Sequence, residues 1–370
     1  MLKTQFGLVS LAGIGAVLAA LVLAVNMPRG EIPESGGLPN GNASAAESAA
    51  DVTTTTNAPE AAVGEAIRDD VPYEEVVWPW EDDIDWQRKR AQAMDPWRRG
   101  NIITSPLSPT GFERLVGVRG TLREWRLQEL LPLFPEIQSL RLDIYDLSDA
   151  GLESTRALPY LETLVIRGSK DAEGDRPEIS AKGMEALSHH QRLRQVGLHH
   201  LRIDDEAFAH VGVLQSAQSL IIHGTDLTPR CFQTIARWPA IRHVGVLYHQ
   251  WNQPIDEATH RAIASLDGRL SSLALGGERL SLEGNLTIHP SLLRAVAEIR
   301  SLTYLTLGDI DHLSPDDLEP VRNLDNLIRF DAAFPRSAEV RNRFLELERE
   351  VLRPGRQRAL DDRQPAGEEP

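Results

Sequence analysis

An apolar phrase of the form L-x-x-L-x-L recurs along the chain. It occurs at Ile137/Leu140/Leu142, Leu161/Leu164/Ile166, Leu193/Val196/Leu198, Ala217/Leu220/Ile222 and Ile241/Val244/Val246. It continues at Leu270/Leu273/Leu275 and Leu302/Leu305/Leu307 and ends in a degraded copy, Leu327/Phe330/Ala332. The last two positions of each copy alternate with period 2, which predicts a short strand with one buried face. A second phrase, a Leu or Ile followed by a capping residue, small or acidic residues and usually a large apolar one, alternates with the first. Leu147-Ser-Asp-Ala-Gly-Leu152 and Leu227-Thr-Pro-Arg-Cys-Phe232 are its clearest copies, and the others start at Leu107, Ile179, Ile203, Ile255, Ile288 and Leu313. Ser148, Ser180, Asp204, Thr228, Asp256 and Ser314 are good N-caps, and Pro109, Pro229 and Pro315 suit a first helical residue. Each unit is therefore strand then helix, with a period of 24–32 residues.

Such a unit cannot bury its apolar face alone, so the copies must stack into one continuous core with capped ends. The expected fold class is α/β: a solenoid with a curved parallel sheet and outer helices over 107–335. Val340, Phe344, Leu347 and Val351 lie at helical spacing and predict a C-terminal capping helix over 336–353, followed by a polar, disordered tail at 354–370.

The strand-plus-helix-start pattern resembles the leucine-rich-repeat superfamily, and the "I-[ST]-D-x-G-L" helix starts look like its ribonuclease-inhibitor-like, cysteine-containing subtype in a bacterial-type envelope protein. The resemblance covers nearly two thirds of the chain. It implies a concave sheet that binds protein partners. The Asn or Cys ladder position of the family is missing after most strands.

The N-terminal third reads differently. Residues 6–25 carry no charge, and twenty residues of helix span about 30 Å, the thickness of a bilayer core. Segment 1–27 is thus a transmembrane anchor or a cleaved signal helix; Val22-Leu23-Ala24 is an acceptable cleavage pattern. Lys3 before the run and Glu31 and Glu34 after it favour the remainder lying outside the cytoplasm, in a cell envelope or periplasm. Residues 28–75, rich in Ala, Ser, Thr, Pro and acids, hold too little apolar surface to offset ordering and are expected to be a disordered linker. Four of the seven Trp (Trp78, Trp80, Trp86, Trp97) fall in 76–106, with a short helix expected over 81–94. That cluster reads either as an N-terminal cap or as an aromatic recognition motif.

Charge refines this picture. The formal net charge is −15, yet fourteen acids against the single Arg68 place most of it in 31–86. The repeat region from 100 to 335 carries −8 over a much larger surface and shows no basic stripe, so nucleic acid is not an expected partner. One Cys excludes an internal disulfide framework. Cys231 stands at the small-residue position of a helix start, which suits a packed thiol rather than a nucleophile.

No GxSxG, HExxH or Walker A pattern occurs, so neither catalysis nor a cofactor is expected. The candidate binding residues are those alternating with the core. Asp143, Arg167, His199 and His223 form one column, Arg141 begins a middle one, and His243 and Tyr304 belong to a third. His199 and His223 should be neighbours about 4.8 Å apart, but no third ligand completes a metal set. Three repeats are lengthened after their strands, at 168–178, 248–254 and 276–287. The middle insertion offers Tyr248, His249 and Trp251 as rim contacts for a protein, sugar or small ligand, unless Trp251 folds back onto the core.

Overall fold

The computed structural model describes residues 83–97, 101–105, 114–168, 176–247, 251–276, 288–333 and 337–361. The anchor or signal segment, the linker and most of the Trp-rich segment before Asp83 lie outside these residues. No helix among the described residues is long and apolar enough to cross a membrane.

Ten strands form one sheet in chain order. The first two, β1 (Asn101–Ser105) and β2 (Arg114–Leu122), pair antiparallel. From β2 onward every neighbour is parallel: β3 (Ser139–Ile144), β4 (Thr163–Gly168), β5 (Gln195–His199), β6 (Ser219–His223), β7 (His243–Leu247), β8 (Ser272–Leu275), β9 (Tyr304–Asp309) and β10 (Arg329–Ala333). These strands are the L-x-x-L-x-L copies, and their central Leu, Ile and Val side chains are buried throughout. The resulting architecture is an α/β solenoid.

The connections carry short helices: α1 (Ile84–Trp97), α2 (Glu124–Leu130), α3 (Asp149–Glu153), α4 (Ala181–Leu187), α5 (Asp205–Ala209), α6 (Cys231–Ile235), α7 (Glu257–Ala264), α8 (Pro290–Val296), α9 (Pro315–Leu318) and α10 (Ala338–Asp361). The caps are those expected from sequence. Side chains of Ser148, Ser180, Asp204, Asp256 and Ser314 accept backbone N–H groups of the first turn, and Ser314 with Asp317 closes a full capping box. His289 caps α8, with Pro290 at its first position. At Thr228 the helix starts later, at Cys231, so Pro229 lies outside it.

The glycines of two helix-start phrases, Gly151 and Gly183, have a specific reason. The first helical residue of α2, Glu124, accepts from the backbone N–H and hydroxyl of Ser148, the cap of the next repeat. Asp149 does the same for Ser180, and Asp205 for Thr228. A Cβ on Gly183 would stand 2.4 Å from Asp149 Oδ1, and one on Gly151 would stand 3.0 Å from Glu124 Cγ. The glycine leaves room for the preceding repeat's carboxylate.

The sequence expectations need correction at the ends. The phrase at 107–112 lies outside the described residues, but the chain after it is strand from Arg114, where a helix was expected. Leu115, Val118 and Gly120 are in fact a first, degraded strand copy, followed by α2. The N-terminal helix runs Ile84–Trp97, three residues later than predicted. The C-terminal helix runs to Asp361, so the segment after 353 is not all irregular tail. Helix α10 closes the open end: Val340, Phe344, Leu347 and Val351 are buried, with the Phe344 ring 4.7 Å from that of Phe330.

At the other end Arg90 of α1 reaches into the first repeats. The Arg90 guanidinium bonds both carboxylate oxygens of Glu136, which is 1% exposed, donates to Leu133 O at 2.9 Å and stacks 4.7 Å from the Phe134 ring centroid. Removing Arg90 takes its guanidinium away from the buried Glu136 carboxylate, and breaking a buried pair in this way costs about 3–5 kcal/mol. Urea unfolding of Arg90→Ala should show that loss, and Arg90→Ala with Glu136→Gln should recover a large part of it.

Candidate functional site

The helices and core side chains cover one face of the sheet. The other face presents three columns in register. The strand-start column runs Ser139, Thr163, Gln195, Ser219, His243, Ser272, Tyr304 and Arg329. The middle column begins at Arg119 and Arg141, continues through Val165, Gly197, Ile221, Gly245 and Ala274, and ends at Thr306 and Asp331. The strand-end column runs Asp143, Arg167, His199, His223 and Leu247.

The middle column is apolar at its centre. Val165, Ile221 and Ala274 are half-buried, and glycines stand between them. A Cβ at Gly245 would meet only Ile221 Cγ1, at 3.7 Å, so the sheet has a shallow hollow there. At Gly197 the space is tighter, with Val165 Cγ1 at 3.0 Å and His199 Nε2 at 3.1 Å from such a Cβ. Polar groups flank this apolar strip. Arg141 lies beside Arg119 and reaches the Gln195 carboxamide oxygen at 3.5 Å. Burial, and then the Arg119 charge, hold the Arg141 guanidinium below its ordinary pKa. Half-buried Tyr304 precedes exposed Arg329 at the C-terminal end of the strand-start column.

The strand-end column brings the expected neighbours together. Asp143 and Arg167 form an ion pair at 3.8 Å, Arg167 stands beside His199, and the His199 and His223 rings lie 5.6 Å apart. These histidines are not the exposed stripe expected from sequence. His199 is 2% exposed, and His223 is also buried, with the His200 ring edge-on to it at 4.4 Å. His200 reaches that position with φ +53°, its N–H donating to His223 O at 2.7 Å. Burial, then Arg167 and His200, lower the His199 pKa to about 3, so its ring stays neutral. His243 is half-buried, its pKa lowered by burial and then by Arg242. No group of three or more His, Cys, Asp or Glu able to hold a metal occurs among the described residues.

At the rim, Tyr248 and His249 lie outside the described residues. Trp251 takes the folded-back alternative. It is 5% exposed, donates its indole N–H to Leu227 O at 2.8 Å and sits 6.1 Å from the Phe232 ring. Its backbone bridges to Ile288. An indole donor that must satisfy itself inside the core is not an anchor for an outside ligand. Cys231 is buried beside Asp205, and burial first and that carboxylate second push its thiol well above the ordinary range. It is a packed thiol.

Sequence reasoning missed Arg119, because its strand was hidden by Gly120 at the third apolar position. It also missed Arg176, which reaches across two repeats to donate to Gly224 O at 2.6 Å and pair with Asp226 at 2.5 Å.

No family model and no curated protein matches the chain. Among solved structures it is similar to a plant peptide hormone receptor, RGFR1 in complex with RGF2, at 13% identity and a TM-score of 0.31. That match covers 58% of this chain and 38% of the receptor, so the chain spans well under half of the receptor's length. An internalin from Listeria monocytogenes matches at 11% identity and a TM-score of 0.28, covering 74% of this chain and 94% of the internalin. The C-terminal domain of a Caenorhabditis elegans tropomodulin matches at 13% identity and a TM-score of 0.16, over 74% and 98%. These likenesses are loose.

The buried histidines give the fold a pH dependence. His190, held by Thr155 Oγ1 at 3.0 Å, is lowered to about 4, chiefly by burial. Both His190 and His199 are neutral when folded and protonate near 6.5 when unfolded, so their contribution is complete above that pH. It is lost as pH falls toward 4 and 3. Urea midpoints should drop between pH 7 and 5, less steeply for His199→Leu; equal slopes would contradict the assignment.

Proposed function

We propose that this chain is a non-catalytic, leucine-rich-repeat binding or scaffolding module whose concave sheet takes a protein partner. The ribonuclease-inhibitor-like subtype is part of this reading. The observation that carries it is the middle column: half-buried Val165, Ile221 and Ala274 alternate with buried Gly197 and Gly245 on the sheet face opposite the helices, flanked by polar side chains in register. A sheet that buries one face against helices and leaves the other open, with apolar atoms ringed by polar ones, has the anatomy of a protein interface.

The module is held at a membrane through residues 6–25 and displayed outside the cytoplasm, in a cell envelope. The support is sequence alone: an uncharged run of bilayer length, the charges around it and an acidic linker behind it. Cleavage of the same run would make the domain a secreted one. The alternative reading, a glycan- or small-ligand-binding or hydrolytic protein, uses the rim loop 248–254 and the histidine stripe, and the burial of Trp251, His199 and His223 weighs against it.

Proximity labelling in the native cell, with the labelling enzyme fused to the C-terminus, tests both parts. Labelled neighbours should be envelope proteins. Ile221→Arg or Val165→Arg on the concave face should reduce the signal of specific neighbours at least about tenfold, as expected for a charge placed in an interface core. Glu206→Arg on α5 should leave it unchanged. Equal loss from both faces would contradict the concave site, and exclusively cytoplasmic neighbours would contradict the topology.

A further inference from the structure

The two ends of the concave sheet are electrostatically unlike. At the C-terminal end Arg329 is neutralised by its own strand neighbour, Asp331, at 2.5 Å. At the N-terminal end Arg119, Arg141 and Arg167 share one face, and the carboxylate among them, Asp143, pairs with Arg167. Arg119 is exposed and stands directly across the ladder from Arg141. Their backbones are one strand spacing apart, about 4.8 Å, and the two like charges repel, the Arg119 charge disfavouring the charged form of Arg141. Beside them begins the apolar strip through Val165.

The chain supplies a complementary segment at that same end. Residues 69–82 contain six carboxylates and no base, interleaved with Tyr73, Trp78 and Trp80. They lead directly into Asp83, which caps α1 by accepting from the N–H groups of Asp85 and Trp86. Helix α1 is pinned by Arg90 to Leu133 and Glu136, in the connection between β2, which carries Arg119, and β3, which carries Arg141. An extended run of fourteen residues from that point reaches about 45 Å, several times the width of the first strands. A segment tethered this close acts at an effective concentration of about a millimolar, which an outside acidic partner would have to exceed.

We propose that the acidic segment 69–82 of this chain occupies the basic end of its own concave sheet, its carboxylates held between Arg119 and Arg141. The proposal rests on the concave face being a binding surface. A partner for that face then competes with the segment, and binding is coupled to its release. Ionic strength weakens the contact, because both guanidinium groups are open to solvent on one side.

The test places the photoreactive residue benzoyl-phenylalanine at Tyr73 in the full chain and maps cross-links by mass spectrometry. Cross-links should fall within 114–168 and decline with added salt. Arg119→Glu with Arg141→Glu should cut them about tenfold, equivalent to about 1.4 kcal/mol. Adding Glu74→Arg and Glu75→Arg to that variant should restore them. Arg119→Gln with Arg141→Gln, checked by circular dichroism, gives the same reading without reversed charge. Cross-links confined to the helical face, or unchanged in both arginine variants, overturn the proposal. If those variants leave the cross-links unchanged but abolish labelling of the envelope neighbours, the basic end serves an outside partner. The proposal then falls while the binding function stands. If the cross-links behave as expected while Ile221→Arg leaves every neighbour in place, the segment is bound and the function reading is the one that fails.

Discussion

Everything in this molecule depends on one constraint: the parallel strands from β2 to β9 pair without a slip. The backbone shows how the register is kept. The carbonyl of the residue just before each strand accepts two successive N–H groups from the next repeat. Gln138 O takes Glu162 and Thr163, Glu162 O takes Arg194 and Gln195, and the pattern continues to Thr303 O with Ile328 and Arg329. A one-residue slip would turn every buried Leu to solvent, so register and core enforce each other. The same constraint makes the columns of the open face line up, and the candidate site is a consequence of it.

A solenoid built this way is limited by its ends, where a repeat has only one neighbour. Here the two ends are closed by different chemistry. Helix α10 covers the last strand with apolar side chains, Phe344 on Phe330. Helix α1 is attached through a buried ion pair that stabilises only when both partners are present. Between the ends, the acids of Glu124, Asp149 and Asp205 tie each helix start to the next cap.

Much of the fold was legible because its rules are local. Period 2 in Leu140, Leu142 and Ile144, or a Ser–Pro–Asp–Asp helix start at 314–317, need no knowledge of the rest of the chain. The site was legible in its columns but not in its exposure. Whether His199 is open depends on His223 and Arg167 from neighbouring repeats, and whether Trp251 points outward depends on a free carbonyl at Leu227 in the repeat before it. Neither can be read from spacing. The first rung escaped for a simpler reason: Gly120, opposite Leu142, stands where the other copies carry a larger apolar residue.

Amide hydrogen exchange under increasing urea tests the central claim, that one uninterrupted ladder makes one core. The strand amides from β3 to β9 should open together, at a single urea dependence, despite the insertions after β4 and β8. Separate opening of β3–β4 and β5–β9, with distinct urea slopes, would show two stacked units rather than one ladder and would contradict the account.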